Sequence, residues 1–158
     1  MKALTLWQPW ASLIMIGAKP YEFRKWDYRD RYSYLQGQRI VIHAGARAIR
    51  PAEVEDIVAR MQDRISSLRA EIAMPLLERL RAAYRCNGVI EISCGLGTAI
   101  LGTPKSVSSL FSSPADSARI DHHMWAWPLT DIQRFDSPVP MKGHQGFWNW
   151  PSQAEEAA

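Results

Sequence analysis

The stretch from Leu6 to Trp26, LWQPWASLIMIGAKPYEFRKW, constrains the fold more than any other part of the sequence. Pro9 suits the first position of a helix, where its missing N–H would have no partner in any case. Gly17 is a natural left-handed stop after that helix, and Pro20 prevents the helix from resuming. The stretch therefore predicts a short helix, a tight stop and an extended strand in close succession.

The strand that follows, Tyr21 to Trp26, alternates with a period of two. Glu22, Arg24 and Trp26 share one predicted face, with roughly 7 Å between neighbours. A carboxylate, a guanidinium and an indole then line one strip, and the Lys19 ammonium lies at its entrance. We expect these groups to converge on a hollow. A solvated surface with a weak salt bridge is the alternative interpretation.

The composition is that of a globular protein, with 47% hydrophobic and 22% charged residues in a chain of 158. No apolar run approaches the roughly 20 residues that a membrane-spanning helix needs. The start, MKALTLWQPW, does not have the pattern of a secretory signal. The two cysteines, Cys86 and Cys94, suit a reducing compartment and are too few for a cysteine-based zinc site. We therefore expect a cytoplasmic protein with no membrane association and no cofactor.

The net charge of +3 conceals an asymmetry. Residues 1–50 contain nine basic and three acidic residues, a net charge of +6, whereas residues 51–158 contain ten basic and thirteen acidic residues, a net charge of −3. The positive charge surrounds the opening stretch, which favours an anionic ligand such as a nucleic acid or a nucleotide. Asymmetry of this kind is also common in soluble proteins, so both interpretations stay open.

The remaining chain predicts short strands with added helices. Strand patterns occur at Lys2–Trp7, Arg39–Ala44, Val89–Leu101 and Met124–Phe135. Gly95 and Gly97 indicate a bulge or bend in the third of these, and Pro128 indicates an edge or bulge in the last. Asp27 to Gly37 is polar and is expected to be a loop. The pattern as a whole predicts an α+β fold, a small mixed β-barrel with a short N-terminal helix.

Residues 51–85 carry the apolar spacing of helices and are predicted to form an inserted helical pair. Pro51 suits a first helical position, and the spacing continues to Ile72. Pro75 is expected to break or kink this helix near Met74. The pair is predicted to pack on the barrel, with a partner-binding surface as the alternative. We expect one domain over residues 1–150 and a frayed tail over residues 151–158.

Three separated segments carry a resemblance to a known family. The first reads Gln8-Pro9-Trp10-Ala11 and then Gly17-x-Lys19-x-x-Glu22-x-Arg24. The second is the strand that ends in His43-Ala44, and the third is Val139-Pro140-x-Lys142-Gly143-x-x-Gly146-x-Trp148. Together they resemble the ASCH domain, the activating-signal-cointegrator homology domain of the PUA-like superfamily. The resemblance implies a PUA-like β pseudo-barrel and a cleft, beside the first helix, that takes nucleic acid or a base.

The resemblance also implies two possible enzyme activities. A bacterial branch with this fold deacylates N4-acetylcytidine with a lysine, a threonine three positions later and a distant glutamate. This chain has Lys19 but carries Glu22 at the threonine position, and Glu91 is a positional candidate for the distant glutamate. Another bacterial ASCH protein is described as a metal-dependent ribonuclease. Because of its long helical segment, this chain is more similar to the coactivator-type domain, which is considered a nucleic-acid-binding module.

Two functional hypotheses follow. In the first, the chain binds RNA, single-stranded DNA or a cytidine-like nucleoside, with Glu22 accepting a hydrogen bond from an exocyclic amine and Arg24 fixing the base or a phosphate. Trp7 and other tryptophans would stack on bases, although each tryptophan can equally be a core residue. The predicted ligand-binding set is Lys19, Glu22, Arg24, Trp10, Trp26, His43, Lys142 and Trp148.

In the second hypothesis, the chain is a hydrolase acting on modified nucleosides or on RNA. Lys19 would then act as base or nucleophile, and Glu22 would steer water or shuttle a proton. Ser12 and His43 are the candidates for the missing oxyanion partner. His122 and His123 are adjacent and would point to opposite sides of a strand, so we predict no metal site.

Overall fold

The computed structural model describes residues 1–63, 66–83, 89–111 and 122–151. Within these residues, the strands are β1 Lys2–Leu6, β2 Tyr21–Arg24, β3 Arg39–Ala44, β4 Cys94–Leu101, β5 Lys105–Ser106, β6 Trp125–Pro140 and β7 Phe147–Asn149. The α-helices are α1 Trp10–Met15, α2 Arg29–Tyr32, α3 Pro51–Gln62 and α4 Ala70–Ala82. Short 3-10 turns lie at Ser33–Leu35 and Val107–Ser109.

The strands form one curled, mixed sheet in the order β2-β6-β4-β3-β1-β7, and β5 pairs with β6. β1 and β3 are parallel, in register from Lys2 opposite Ile40 to Leu6 opposite Ala44. Parallel strands need a crossover connection, which here contains α1, β2 and α2. The carboxyl ends of β1 and β3 therefore lie side by side, and the residues that follow both strands meet at one edge of the sheet.

Helix α1 lies between two apolar clusters. Its Ile14 and Met15 pack into the cluster that fills the curled sheet, which includes the fully buried Trp127. Its Leu13 packs instead with residues of α3 and α4, such as Ile57. The helix buries two faces because sheet and helical pair approach it from different sides.

The helical pair differs from the prediction in where it breaks. The predicted break at Pro75 is wrong, since the first helix ends at Gln62 and Pro75 lies inside α4. Pro75 removes one backbone donor near the start of α4, and the buried Leu76 and Leu77 hold this helix against its neighbours in the same cluster. Pro51 does occupy the start of α3, as expected. The predicted end of the pair, residues 84–85, lies outside the described residues.

The other elements follow the sequence in part, and the strand predicted at Val89–Leu101 begins only at Cys94. The predicted strands β1 and β3 are confirmed, and β4 shows register shifts at Gly95/Gly97 where a bulge was predicted. The segment from Asp27 to Gly37 was expected to be a loop, and this prediction is wrong because it contains α2 and a 3-10 turn. Asp27 fixes this segment by accepting hydrogen bonds from the backbone and side chain of Arg29. The predicted frayed tail lies, from residue 152 onward, outside the described residues.

The α+β class is confirmed, and the curled sheet with its four helices in the described residues fits a PUA-like barrel. None of the helices in the described part of the chain combines the length and the apolar character needed to cross a bilayer.

Candidate functional site

A large cavity of about 1010 Å³ opens at the carboxyl ends of β1 and β3. Its walls come from the residues after these two strands, from α1, from β2, from the turn at 122–123 and from the 140–146 segment. Cavities that hold drug-sized ligands measure about 300–1,000 Å³, so this one has room for a nucleobase and more. A second, smaller cavity of about 260 Å³ lies near Arg39 and Trp150.

Lys19 enters the cavity directly after the stop of α1. Gly17 has a φ of 78°, as the predicted left-handed stop requires, and the Lys19 N–H donates to the carbonyl of Leu13 at 3.0 Å. The side chain of Lys19 is only 2% exposed. Its Nζ lies 4.8 Å from the ring centroid of Phe23 and 3.8 Å from Oε2 of Glu22. A short helix with a tight stop thus places a buried cation against a carboxylate.

Glu22 lies between two cations. Its Oε1 is 3.0 Å from Nε of Arg24, in addition to the contact of its Oε2 with Lys19. The Arg24 Nε makes this ion pair without hydrogen-bond geometry and has no acceptor among the described residues. A carboxylate offers about four acceptor positions, so two ion pairs leave acceptor capacity for a ligand N–H. Acceptor and donor therefore lie next to each other in the cavity wall.

Phe23 also borders the cavity, although its position in β2 predicts the face opposite to Glu22 and Arg24. The Lys19 Nζ lies over the Phe23 ring, and both residues line the cavity. The ring carries apolar surface beside the charged group.

The tryptophans divide between the cavity and the packed parts of the fold. Trp7 and Trp10 line the cavity. Trp26 is outside the lining and packs against Trp127 at a centroid distance of 5.0 Å. Trp148 is also outside the lining, and its Nε1 donates to Oγ1 of Thr5 at 3.0 Å. Only two of the four candidate stacking residues are therefore in a position to meet a ligand in this cavity.

His43 lies behind the cavity wall. It is completely buried, and its Nε2 donates to the carbonyl oxygen of Met141 at 2.9 Å. A Cβ placed on Gly143 would lie 2.5 Å from the His43 ring, so the backbone at Gly143 covers the imidazole closely. Burial lowers the pKa of His43, and nearby His144 lowers it further, against the opposing effect of the Met141 hydrogen bond. His43 therefore supports the wall and does not line the cavity.

Lys142 lines the cavity, as do His144, His122 and His123. The expectation that the two adjacent histidines point to opposite sides of a strand is wrong, because they lie in a turn and both border the cavity. In the described part of the chain, no group of three or more histidine, cysteine or acidic side chains is arranged to hold a metal ion.

Of the residues considered for a hydrolase, Lys19 and Glu22 line the cavity, whereas Ser12 and Glu91 do not. Ser12 is hydrogen-bonded to Gln8, and the exposed Glu91 contributes its backbone carbonyl to the same glutamine at 2.7 Å. Gln8 is completely buried and links the start of α1 to the segment before β4. Glu53, which lines the cavity from α3, was missed by the sequence analysis, because nothing near it in the sequence connects it with Lys19.

The fold and the site define a class, an α+β domain on a curled mixed sheet with a charged cavity beside its first helix. A family model of the ASCH domain matches residues 4–95, more than half of the chain, and the chain belongs to this family. The ASCH domain is PUA-like, and such domains generally bind RNA. A comparison with curated proteins found no match.

Proposed function

We propose that this protein binds single-stranded RNA and takes one unpaired base into the cavity, against Glu22 and Arg24. The observation that carries the proposal is the burial of this charged group. Moving charged side chains out of water costs several kcal/mol per ion, so a chain without a use for them there would leave them exposed. Lys19, Glu22 and Arg24 instead lie together in the wall of a cavity of about 1010 Å³.

The arrangement of the pair favours particular bases. The Glu22 carboxylate accepts a hydrogen bond, and the neighbouring Arg24 guanidinium, whose side chain is 24% exposed, supplies donors beside it. Cytosine and adenine present an amine donor beside a ring-nitrogen acceptor, which complements this pair. Uracil presents the same donor and acceptor only one position further along its edge, at N3–H and O2, so it must shift in the cavity and bring its O4 carbonyl towards the carboxylate. We therefore expect the site to prefer cytosine or adenine over uracil.

The other cavity residues supply contacts that do not depend on the base. Trp10 offers an aromatic surface, and stacking of a base on an aromatic side chain contributes about 1–3 kcal/mol. Lys142 is exposed at the rim, where it can contact phosphate. The net charge of +6 over residues 1–50 attracts the phosphate backbone of the RNA.

Titration of fluorescent single-stranded oligonucleotides tests the proposal. We expect binding of cytosine- and adenine-containing strands that weakens steeply as salt is raised, because phosphate contacts release counterions. Glu22→Gln and Lys19→Ala should each weaken binding at least about tenfold, because the first replaces the carboxylate acceptor by an amide and the second removes a cation that pairs with it. Glu55→Gln is the matched control, because Glu55 pairs with Arg81 on the exposed side of the helical pair. Unchanged binding in both cavity variants, or no binding at low salt, would contradict the proposal.

The hydrolase alternative is supported by one observation, the 3.8 Å contact between Lys19 and Glu22 inside the cavity. Incubation of the protein with N4-acetylcytidine, with detection of free acetate, tests it directly. Acetate release that is lost in Lys19→Ala would favour the hydrolase over a pure binding module.

A further inference from the structure

We infer that Trp7, held in place by Arg47, is a second base-stacking position, so that the ligand is at least two consecutive nucleotides of a single strand. This inference rests on the proposed function and adds the length of strand that the cavity takes. It assigns roles to two residues outside the Gly17-to-Arg24 signature.

The position of Trp7 is the first observation. Trp7 directly follows β1 and lines the cavity, yet 43% of its surface is exposed. Large indole rings usually bury their apolar area in a core, as Trp127 does in this fold. An exposed tryptophan in a cavity wall is the kind of aromatic surface on which single-stranded nucleic acids stack.

The second observation is the support behind this ring. The guanidinium carbon of Arg47 lies 4.0 Å from the centroid of the Trp7 ring, a cation–π contact. Nη2 of Arg47 donates to Oε1 of Glu53 at 2.8 Å, and Oε2 of Glu53 accepts from the backbone N–H of Arg50 at 3.2 Å. Arg47 is not among the lining residues, so it covers a part of the indole other than the part that borders the cavity. The start of α3 thus fixes the orientation of Trp7.

The third observation is the separation of the two positions. Glu22 and Arg24 belong to β2 at one end of the strand order, whereas Trp7 follows β1, with β6, β4 and β3 between them. Both border the same cavity of about 1010 Å³ because the sheet curls. A single base is smaller than the drug-sized ligands that occupy cavities of about 300–1,000 Å³, so a base against Glu22 leaves room for a neighbour.

The chemistry of the second position predicts what it recognises. Every base has an aromatic face, so stacking on Trp7 adds affinity with little choice of base. We therefore expect the base against Glu22 to set the preference and the base on Trp7 to add to the affinity for any sequence.

The test compares ribonucleoside 5′-monophosphates with ribodinucleotides that carry the same preferred base. The wild-type protein should bind the dinucleotide about 5- to 150-fold more tightly, which corresponds to one stacked base. Trp7→Leu should remove this gain, so that the dinucleotide binds no more tightly than the mononucleotide, and Trp7→Phe should keep most of it. Trp26→Leu is the matched control, because Trp26 is similarly exposed but lies outside the cavity lining.

Arg47 is a positioning residue, and its test uses the ratio of dinucleotide to mononucleotide affinity. Arg47→Ala should lower this ratio. Arg81→Ala, which removes a comparable ion pair between Arg81 and Glu55 of α3, should leave it unchanged. If losing the ion pair only lowered stability, both variants would be less stable and the ratio of dinucleotide to mononucleotide affinity would stay the same in each.

If Trp7→Leu does not fold, a measurement on the wild-type protein tests the inference instead. With 5-fluorotryptophan incorporated, the fluorine resonance that disappears in Trp7→Phe should shift on addition of the dinucleotide and not of the mononucleotide. Equal affinities for the two probes would overturn the inference and leave the proposed function intact. Absence of binding to either probe and to longer strands would overturn the proposed function itself.

Discussion

His43 is a fully buried imidazole whose surroundings oppose its protonation. Burial lowers its pKa below the ordinary value of 6.5, so the folded state stays neutral where the unfolded chain takes up a proton. The unfolded state then binds more protons as pH falls below that value, and the free energy of unfolding decreases. At pH values well above 6.5, His43 is neutral in both states and does not make the free energy of unfolding depend on pH.

We predict that the protein loses stability between pH 7.5 and pH 5 and that His43→Gln loses less over the same range. Urea denaturation at several pH values, followed by tryptophan fluorescence, measures this difference. Parallel stability curves for the two proteins would show that His43 is not the group responsible. His144 borders the same wall, and a His144→Gln variant provides the comparison for a histidine that is exposed.

At the scale of single residues, the sequence predicts the site unevenly. Lys19, Glu22 and Arg24 are brought together as expected, because their spacing and the helix stop are local features. The positions of Trp26 and Trp148 depend on the aromatic partners that other strands supply, such as Trp127 from β6. The alternation of residues along one strand contains no information about partners from other strands. A tryptophan that faces the cavity therefore cannot be told from a packed one in the sequence.

The bulge in β4 depends on Gly97. A Cβ at this position would collide with the carbonyl oxygen of Gln133 and with the side chain of Met15, and it would lie 2.8 Å from Cα of Arg134. The backbone there has a φ of 156°, which side chains rarely adopt. The strands β4 and β6 and the helix α1 meet at this point.

We predict that Gly97→Ala lowers the free energy of unfolding by at least about 2 kcal/mol, because neither backbone nor helix can move away without cost. Gly45→Ala is the control, since the nearest atoms to its added Cβ lie at 3.4 Å, an ordinary contact. We expect that control to stay within about 1 kcal/mol of the wild type. Equal stability of the two variants, measured by thermal and urea denaturation, would contradict the account of the bulge.

At the scale of elements, strands were easier to predict than the helical pair. The short, apolar β3 is bounded by polar and small residues, and its predicted limits, Arg39–Ala44, are those of the structure. The break between α3 and α4 is not at the proline, because burial of α4 outweighs the loss of one hydrogen bond at Pro75. A propensity argument cannot weigh that burial before the packing is known.

The barrel and the helical pair are joined through α1 and the loop after it. Leu13 and Ala18 belong to the apolar cluster of α3 and α4, and the backbone N–H of Arg69 donates to the carbonyl of Ala18 at 2.9 Å. Ala18 directly precedes Lys19, so the start of α4 supports the segment that places this cation. The helical pair thus contributes to the cavity through Glu53 and through this loop.

We predict that the protein unfolds in one transition. Circular dichroism, which measures the loss of helix, and tryptophan fluorescence, which measures the opening of the barrel, should have their midpoints at the same urea concentration. Shared packing on α1 couples the two parts, because neither can release it without exposing apolar surface. Two separated midpoints would show that the helical pair unfolds independently of the barrel. Leu13→Ala should shift both signals together, by about 2–4 kcal/mol.

Gly143 has a consequence for how this cavity can change. There is no room for a side chain between Gly143 and His43. A ligand in the cavity therefore contacts backbone atoms at this part of the wall. Point substitution cannot alter the hydrogen-bonding groups of a peptide, so this side of the cavity offers the same surface to every occupant. A shift in the preferred ligand during evolution must therefore arise at other positions of the lining, such as Trp7, Trp10 and Glu22.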